Sequence, residues 1–304
     1  MDAAPGRTHP LGATLRDGGC NFALYSRHAE EVALHLYGND PKAPPTRVVP
    51  LDRGAGHVWT VFLTGVGAHQ RYGYKVRGPF RPEAGLRFNE QKLLIDPYAR
   101  ALDGKAAPDG DERRLLAYDP EHPARDLSFD PRPNDAFVPK SIVVDPAFDW
   151  DGDKPPGIGF EELFLYETHL KGFTAHPSSG SRSPGSYLGF IDRIPHLSRL
   201  GVNAVEFLPL HEFHGRGNYW GYSTIGFFAP ESSYAASRAP GAAVAQSYAA
   251  HDSRDAASPV GSGARSRAAA ASISASVTCT GPPRSRSRSP TGQTGSKTPI
   301  AWSA

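Results

Sequence analysis

Three aromatic side chains and one amide stand close together in the sequence, at Asn218, Tyr219, Trp220 and Tyr222. Flat aromatic rings can stack on the apolar faces of sugar rings, while nearby polar groups satisfy the sugar hydroxyls. Tyr219, Trp220 and Tyr222 are therefore candidate substrate-binding residues, and Asn218 is expected to help shape their loop. The alternative is that the rings fill the protein core. A core position is a stronger alternative for Trp220 than for Tyr222.

Acidic side chains occur in two places that could support acid–base chemistry. Glu167 and Glu206 each lie in an apolar, strand-like stretch. We expect both to accept structural hydrogen bonds. Asp149 and Asp151 are a pair in sequence, and such a pair is more typical of a solvated turn than of a catalytic site.

Histidine and cysteine give little indication of a metal site. His211 and His214 flank Glu212, and these three side chains could bind a metal ion, but a polar loop is the more economical interpretation. Cys20 and Cys279 lack the spacing of metal ligands, and they give no reason to expect a disulfide framework. We predict neither a metal nor a cofactor.

Length, charge and hydropathy exclude several classes of protein. The 304 residues are enough for about two domains, and a net charge of +2 does not indicate a nucleic-acid partner. No run of about 18 apolar residues occurs, and residues 1–8 lack the apolar stretch of a signal peptide. We expect a cytoplasmic protein that binds neither membranes nor nucleic acid.

Residues 1–100 contain short runs in which apolar and polar residues alternate between turn signals. The runs are 20–26, 31–37, 46–51, 57–63 and 72–77. A period of two, repeated at a spacing of about 8–12 residues, predicts an immunoglobulin-like antiparallel β-sandwich. Trp59, Tyr72 and Tyr74 could line a sugar-binding face, but aromatic residues in a sandwich are more often core.

The next two regions predict a connection and the start of a barrel. Residues 101–160 are rich in Pro, Asp and Arg, and we interpret them as a connecting segment packed along the sandwich. Within 161–246, the stretches 163–170 and 203–209 are typical of buried parallel strands, and 187–200 has helical spacing that Pro195 interrupts. Strand, helix and strand make one unit of an incomplete (β/α)8 barrel.

Ten segments occur in a consistent order between residues 9 and 246. They are 9–14, 21–26, 72–79, 87–99, 137–141, 145–150, 166–174, 205–209, 218–222 and 226–230. Together they resemble glycogen-debranching enzymes and isoamylases of the α-amylase superfamily, and the sandwich resembles the α-glucan-binding modules of that group. A small departure is Ser223, where the family commonly has Asn.

The resemblance implies hydrolysis of α-1,6-glucosidic branch linkages in glycogen or its limit dextrins. It places Tyr222 beneath the sugar at the cleavage site, on the catalytic face of the barrel. A retaining glycosidase needs two carboxyl groups about 5–5.5 Å apart, and in the family these lie on later strands that have no counterpart in this sequence. We therefore predict no catalytic residue and a truncated, inactive chain.

Two alternative functions stay open. The chain could be a non-catalytic α-glucan-binding module. It could also derive from a maltooligosyltrehalose trehalohydrolase, whose N-terminal region is similar but lacks the pattern of residues 87–99.

Residues 247–304 differ in composition from the rest of the chain. Ala, Ser, Arg, Gly and Pro dominate, and 284–290 reads RSRSRSP. Such a stretch cannot bury enough apolar surface to offset its conformational entropy, so it predicts a disordered tail. A translated wrong reading frame, beginning between about residues 237 and 247, explains it most economically. A functional disordered tail and an RNA-binding arginine-serine segment are the alternatives.

Overall fold

The computed structural model describes residues 1–107, 111–150, 152, 156–214, 217–237 and 239–251, so most of the predicted tail lies outside the described residues. The strands are β1 (Ala3–Ala4), β2 (Gly12–Arg16), β3 (Gly19–Tyr25), β4 (Glu31–Tyr37), β5 (Arg47–Pro50), β6 (Asp52–Arg53), β7 (Val58–Thr64), β8 (Arg71–Arg77), β9 (Phe80–Arg81), β10 (Leu86–Arg87), β11 (Leu102–Asp103), β12 (Lys140–Ile142), β13 (Leu165–Thr168), β14 (Ala204–Phe207), β15 (His211–Phe213) and β16 (Thr224–Pro230). The α-helices are α1 (Leu170–Ala175), α2 (Tyr187–Ile191), α3 (Ile194–Arg199) and α4 (Ala242–His251).

Two antiparallel sheets form a sandwich from the first half of the chain. The first sheet has the order β1-β7-β3-β2, with β6 also paired to β7, and the second has the order β11-β12-β8-β4-β5. Alternate residues of β3, β4, β7 and β8 point between the sheets into one apolar core. The predicted sandwich is confirmed, and its five predicted runs match β3, β4, β5, β7 and β8 to within one residue at each end.

The aromatic residues of the sandwich fill its core. Trp59, Tyr72 and Tyr74 are at most 6% exposed and belong to the central cluster. The Tyr72 hydroxyl donates a hydrogen bond of 2.7 Å to Asp96, which is itself fully buried. These three rings therefore cannot form a sugar-binding face, and the core interpretation is confirmed.

The connecting segment packs against the second sheet. Just before this segment, Leu94 pairs with β8, exchanging backbone hydrogen bonds of 2.8 and 2.9 Å with Tyr74. Asp135 forms an ion pair of 2.9 Å with Lys75 and accepts a hydrogen bond of 3.0 Å from Tyr37. Beyond the predicted boundary at residue 100, β11 and β12 extend the second sheet, because β12 pairs directly with β8.

The predicted strand–helix–strand unit is present after residue 160. β13 and β14 are parallel neighbours, and α2 and α3 lie between them in sequence. Pro195 occupies the first turn of α3. Proline has no backbone N–H to donate to the preceding turn, so the predicted helix divides into two short helices. One face of the strand pair packs on these helices through Val205, Phe190 and Leu197.

The opposite face of the β13–β14 pair is open to solvent. Leu165 lies on this face and is 51% exposed, so the expectation of a buried strand is wrong for this part of 163–170. In the described residues only β14 pairs with β13. Glu167 and Glu206 lie opposite each other on the same pair, and both are exposed.

The last described helix crosses a predicted boundary. Helix α4 is ten residues long and continues to His251, past the predicted start of the tail at residue 247. It packs on the barrel unit through Ala243. No helix within the described ranges is long and apolar enough to cross a membrane.

Candidate functional site

The four predicted binding residues lie in the loop that joins β15 to β16, after the second barrel strand. Gly221 gives this loop its tight approach to the end of β14. Its φ of +82° is in the left-handed region, and a Cβ built there would lie 2.6 Å from the carbonyl oxygen of Pro209. A side chain at position 221 would therefore push the loop away from the barrel unit.

Tyr219 is held in place by His169, the residue that follows β13. The two rings stack at 4.5 Å with 17° between their planes. Because the His169 Nδ1 accepts a hydrogen bond of 2.9 Å from Gly172 N–H, its Nε2 carries the proton and donates to the Tyr219 carbonyl oxygen at 2.7 Å. Burial lowers the pKa of His169, which keeps the ring neutral and this arrangement intact.

Trp220 and Tyr222 present their rings to solvent. Trp220 is 55% exposed and packs edge-on against Tyr219 at 5.3 Å, while Tyr222 is 60% exposed. The alternative in which these rings fill the core is therefore wrong, and their role in binding stays a prediction. The Asn218 side-chain amide donates to the carbonyl oxygens of Tyr222 and of His214, so Asn218 closes the loop on itself.

A buried ion cluster anchors the base of the hairpin that carries this loop. Lys105, from the connecting segment, contacts Glu212 of β15 and lies 2.5 Å from Glu231, which follows β16. Both carboxylates are 0% exposed. Glu212 also accepts hydrogen bonds from the backbone N–H and hydroxyl of Ser232. One lysine therefore contacts two buried acids and ties the connecting segment to the barrel unit.

The cluster is sensitive to pH near neutrality. Burial, reinforced by the nearby charge of Glu231, raises the pKa of Glu212 to about 7. Two carboxylates that share one ammonium group repel each other in a poorly hydrated site, so the proton goes to one of them first. Glu212 is therefore ionised mainly above pH 7.

The cluster also reaches the aromatic loop through Tyr234. Glu231 accepts a hydrogen bond of 2.9 Å from Ser233 N–H, which fixes the short turn that precedes Tyr234. The Tyr234 hydroxyl lies 3.1 Å from Nε2 of His169, the ring on which Tyr219 stacks. The aromatic loop is therefore held at its base by Lys105, Glu231 and Tyr234.

The surroundings of the remaining acidic candidates differ from those that the sequence predicts. Glu212 is an ion-paired strand residue, so the polar-loop interpretation is wrong. Glu167 and Glu206 accept no hydrogen bond within the described part of the chain, which contradicts their expected role as acceptors. Asp149 is exposed, and Asp151 lies outside the described residues. The described ranges hold no group of three or more histidine, cysteine or acidic side chains that could bind a metal ion.

Sequence reasoning missed the residues that position the loop. His169 lies within the family-like segment 166–174, and Lys105 and Tyr234 belong to no motif. Their contacts with the loop and its base span 50 residues or more of sequence. Only the folded chain brings these side chains together.

Comparison with known proteins agrees with the fold. Residues 10–99 match the family "Carbohydrate-binding module 48 (Isoamylase N-terminal domain)". The chain is 41% identical over 255 residues to the "Glycogen operon protein GlgX homolog" of Mycobacterium tuberculosis, with 80% of this chain and 34% of that protein covered. It is 40% identical over 245 residues to the "Glycogen debranching enzyme" of Yersinia enterocolitica, with 77% and 35% covered.

Solved structures give the same fold. A pullulanase from Bacillus acidopullulyticus superimposes with a TM-score of 0.60 at 20% identity, over 81% of this chain and 28% of that one. The chain spans about a third of the length of the curated relatives named above. Over that length it is similar to the N-terminal part of glycogen-debranching enzymes and isoamylases, and residues 10–99 match the N-terminal domain of the isoamylases.

Proposed function

We propose that this chain is the glucan-engaging N-terminal part of a debranching glycoside hydrolase that acts on α-1,6 branch linkages of glycogen or a related α-glucan. The observation that carries the proposal is the loop between β15 and β16. It presents Trp220 and Tyr222 to solvent on a base that His169 and Tyr219 hold rigid. Exposed rings on a fixed support stack on sugars without a large ordering cost.

We further propose that the 304-residue chain binds α-glucan without cleaving it. Cleavage with retention needs a nucleophile and an acid on opposite sides of the scissile bond. The acidic residues on the described parallel strands, Glu167 and Glu206, are exposed and have no described hydrogen-bond partner. Nothing holds either carboxyl group against a substrate, and no later segment of the sequence resembles the catalytic strands of the family.

Replacing Tyr222 with Ala is expected to weaken binding of maltoheptaose about tenfold, because a stacking contact of about 1 kcal/mol and its buried area are lost. Isothermal titration at pH 7.5 measures the effect. Tyr25→Ala is the matched control, since Tyr25 is an exposed tyrosine on the sandwich at 46% exposure. If wild type and Tyr222→Ala bind maltoheptaose with equal affinity, the loop is not part of the binding site.

A further inference from the structure

His169 is the buried centre of the aromatic cluster beneath the loop between β15 and β16. The residue is 7% exposed, and Tyr219 stacks on one face of its ring. Trp220 and Tyr234 both approach it edge-on, each with 5.8 Å between ring centroids. Stacked and edge-to-face arrangements are the favourable ones for aromatic rings. Tyr219 and Trp220 of the loop therefore meet the barrel unit at this imidazole ring.

The hydrogen bonds of His169 require its uncharged form. Nδ1 accepts a hydrogen bond of 2.9 Å from the backbone N–H of Gly172, so this nitrogen carries no proton. Nε2 donates to the Tyr219 carbonyl oxygen at 2.7 Å and lies 3.1 Å from the Tyr234 hydroxyl. A second proton, on Nδ1, would point at the N–H of Gly172 and set two donors against each other. Protonation of His169 would therefore break the contact that orients its ring.

The groups around His169 favour this uncharged form. Burial lowers its pKa, the hydrogen bond to Tyr219 opposes that shift, and the positive charge of Lys171 on α1 adds to it. Tyr234 faces His169 from the turn after β16. Burial, together with the charge of Glu231, raises the pKa of Tyr234, so its hydroxyl stays neutral. The ring of His169 is therefore surrounded by groups that suit a neutral imidazole.

Gly172 leaves the space in which Tyr219 lies on His169. A Cβ built at Gly172 would be 2.7 Å from the Tyr219 hydroxyl oxygen and 3.4 Å from Nδ1 of His169. Gly172 lies inside α1, where alanine would favour the helix more than glycine does. Helix formation therefore does not explain a glycine at this position, whereas the close approach of the Tyr219 side chain does.

We infer that His169 and Gly172 are positioning residues that hold the aromatic loop ready for its sugar, with His169 acting in its uncharged form. The inference rests on the proposed function for its ligand, an α-glucan. A loop that is fixed before the sugar arrives avoids the cost of ordering it on binding. A proton on His169, or a side chain at position 172, displaces Tyr219 and with it the neighbouring rings of Trp220 and Tyr222.

Calorimetric titration of maltoheptaose into variants of the 304-residue chain at pH 7.5 tests the two positions. His169→Asn keeps an acceptor for the Gly172 N–H, because asparagine is a favoured N-cap residue, but it removes the ring under Tyr219. A capping role alone predicts unchanged binding, whereas positioning predicts a loss of about fivefold. Gly172→Ala should also lose about fivefold, although alanine favours the helix. Gly67→Ala is the matched control, since no atom lies within 4 Å of a Cβ built there.

Two further measurements separate positioning from a general loss of structure. Tyr219→Phe deletes the hydroxyl that the alanine methyl would meet and keeps the ring on His169, so Gly172→Ala should cost little binding in that background. Wild-type affinity is expected to decrease as the pH falls from 7.5 through the lowered pKa of His169. His169→Asn should lose this dependence on pH, whereas Glu212→Gln should keep it.

The inference and the proposed function fail in different ways. The inference alone is overturned if Tyr222→Ala weakens binding while His169→Asn binds like wild type, or while Gly172→Ala binds like Gly67→Ala. Histidine ring ¹⁵N spectra that show a proton on Nδ1 of His169 at pH 7.5 would also overturn it, and this readout needs no ligand. Absence of binding by the wild-type chain would overturn the proposed function and the inference together.

Discussion

Lys105→Met lowers the free energy of unfolding by about 3 kcal/mol at pH 8, because it leaves two buried carboxylates without a counter-ion. Glu212 and Glu231 are both 0% exposed, and Lys105 is the cation that contacts them within the described residues. The lysine side chain is one-third exposed, which places the expected loss at the lower end of values for buried pairs. Urea denaturation followed by circular dichroism measures it.

The same variant loses less stability at pH 6 than at pH 8. The pKa of Glu212 is about 7 in the folded chain against 4.5 for an unperturbed glutamate. Between these values the folded state holds a proton that the unfolded state releases, so the contribution of Glu212 to stability falls as pH rises through this window. At pH 6 Glu212 is protonated, so the loss of the Lys105 charge leaves less uncompensated charge than it does at pH 8.

Two further variants isolate the charge effect of this cluster. Lys105→Arg keeps a cation and is expected to retain most of the stability. Glu212→Gln keeps acceptors for Ser232 and removes one charge, so adding it to Lys105→Met should recover part of the loss at pH 8 and little at pH 6. A loss for Lys105→Met that is equal at both pH values would contradict the proposed shift of Glu212.

A fusion of residues 1–246 to the remainder of the Yersinia enterocolitica glycogen-debranching enzyme is expected to release reducing ends from glycogen, whereas the 304-residue chain releases none. Enzymes of this kind accelerate hydrolysis by at least about 10⁶-fold, so the contrast far exceeds assay background. The physical reason is that paired carboxyl groups about 5 Å apart are required, and the described residues position no such pair on a substrate.

The exposed acids provide the control for this contrast. Glu167→Gln and Glu206→Gln change one charge each on the open face of the strand pair and should leave the fusion folded. If the unfused chain cleaves glycogen and either substitution abolishes that cleavage, these two residues act as the missing pair of catalytic carboxyl groups. That result would overturn the proposal that the chain only binds.

Local pattern was sufficient to predict the sandwich and the barrel unit. Alternation in β3, β4, β7 and β8 decides which side chains point inward, and Pro195 decides where the crossover helix divides. Both are properties of neighbouring residues. The exposure of Leu165 could not be predicted this way, because the side chains of a parallel strand are buried by elements packed on both faces of the sheet, and the described helices pack on one face of this pair.

The sequence indicates the solvent-facing residues of the candidate site but not the residues that position them. Residue types, together with the family resemblance, indicated Trp220 and Tyr222 as binding residues, and that role stays a prediction. His169 and Lys105 depend on long-range contacts that no spacing encodes. Ser223 has a φ of +64°, a left-handed conformation that Asn adopts more readily than Ser, which accounts physically for the residue expected at that position.

Co-sedimentation with glycogen, with reducing ends assayed in the same tube, tests the central claim most directly. The predicted result is that the 304-residue chain is retained with the polymer and that reducing ends stay at the level of a protein-free control. Retention should fall for Tyr222→Ala and persist for Tyr25→Ala. A chain that stays in the supernatant, or a rise in reducing ends, would contradict the claim that this chain binds α-glucan without cleaving it.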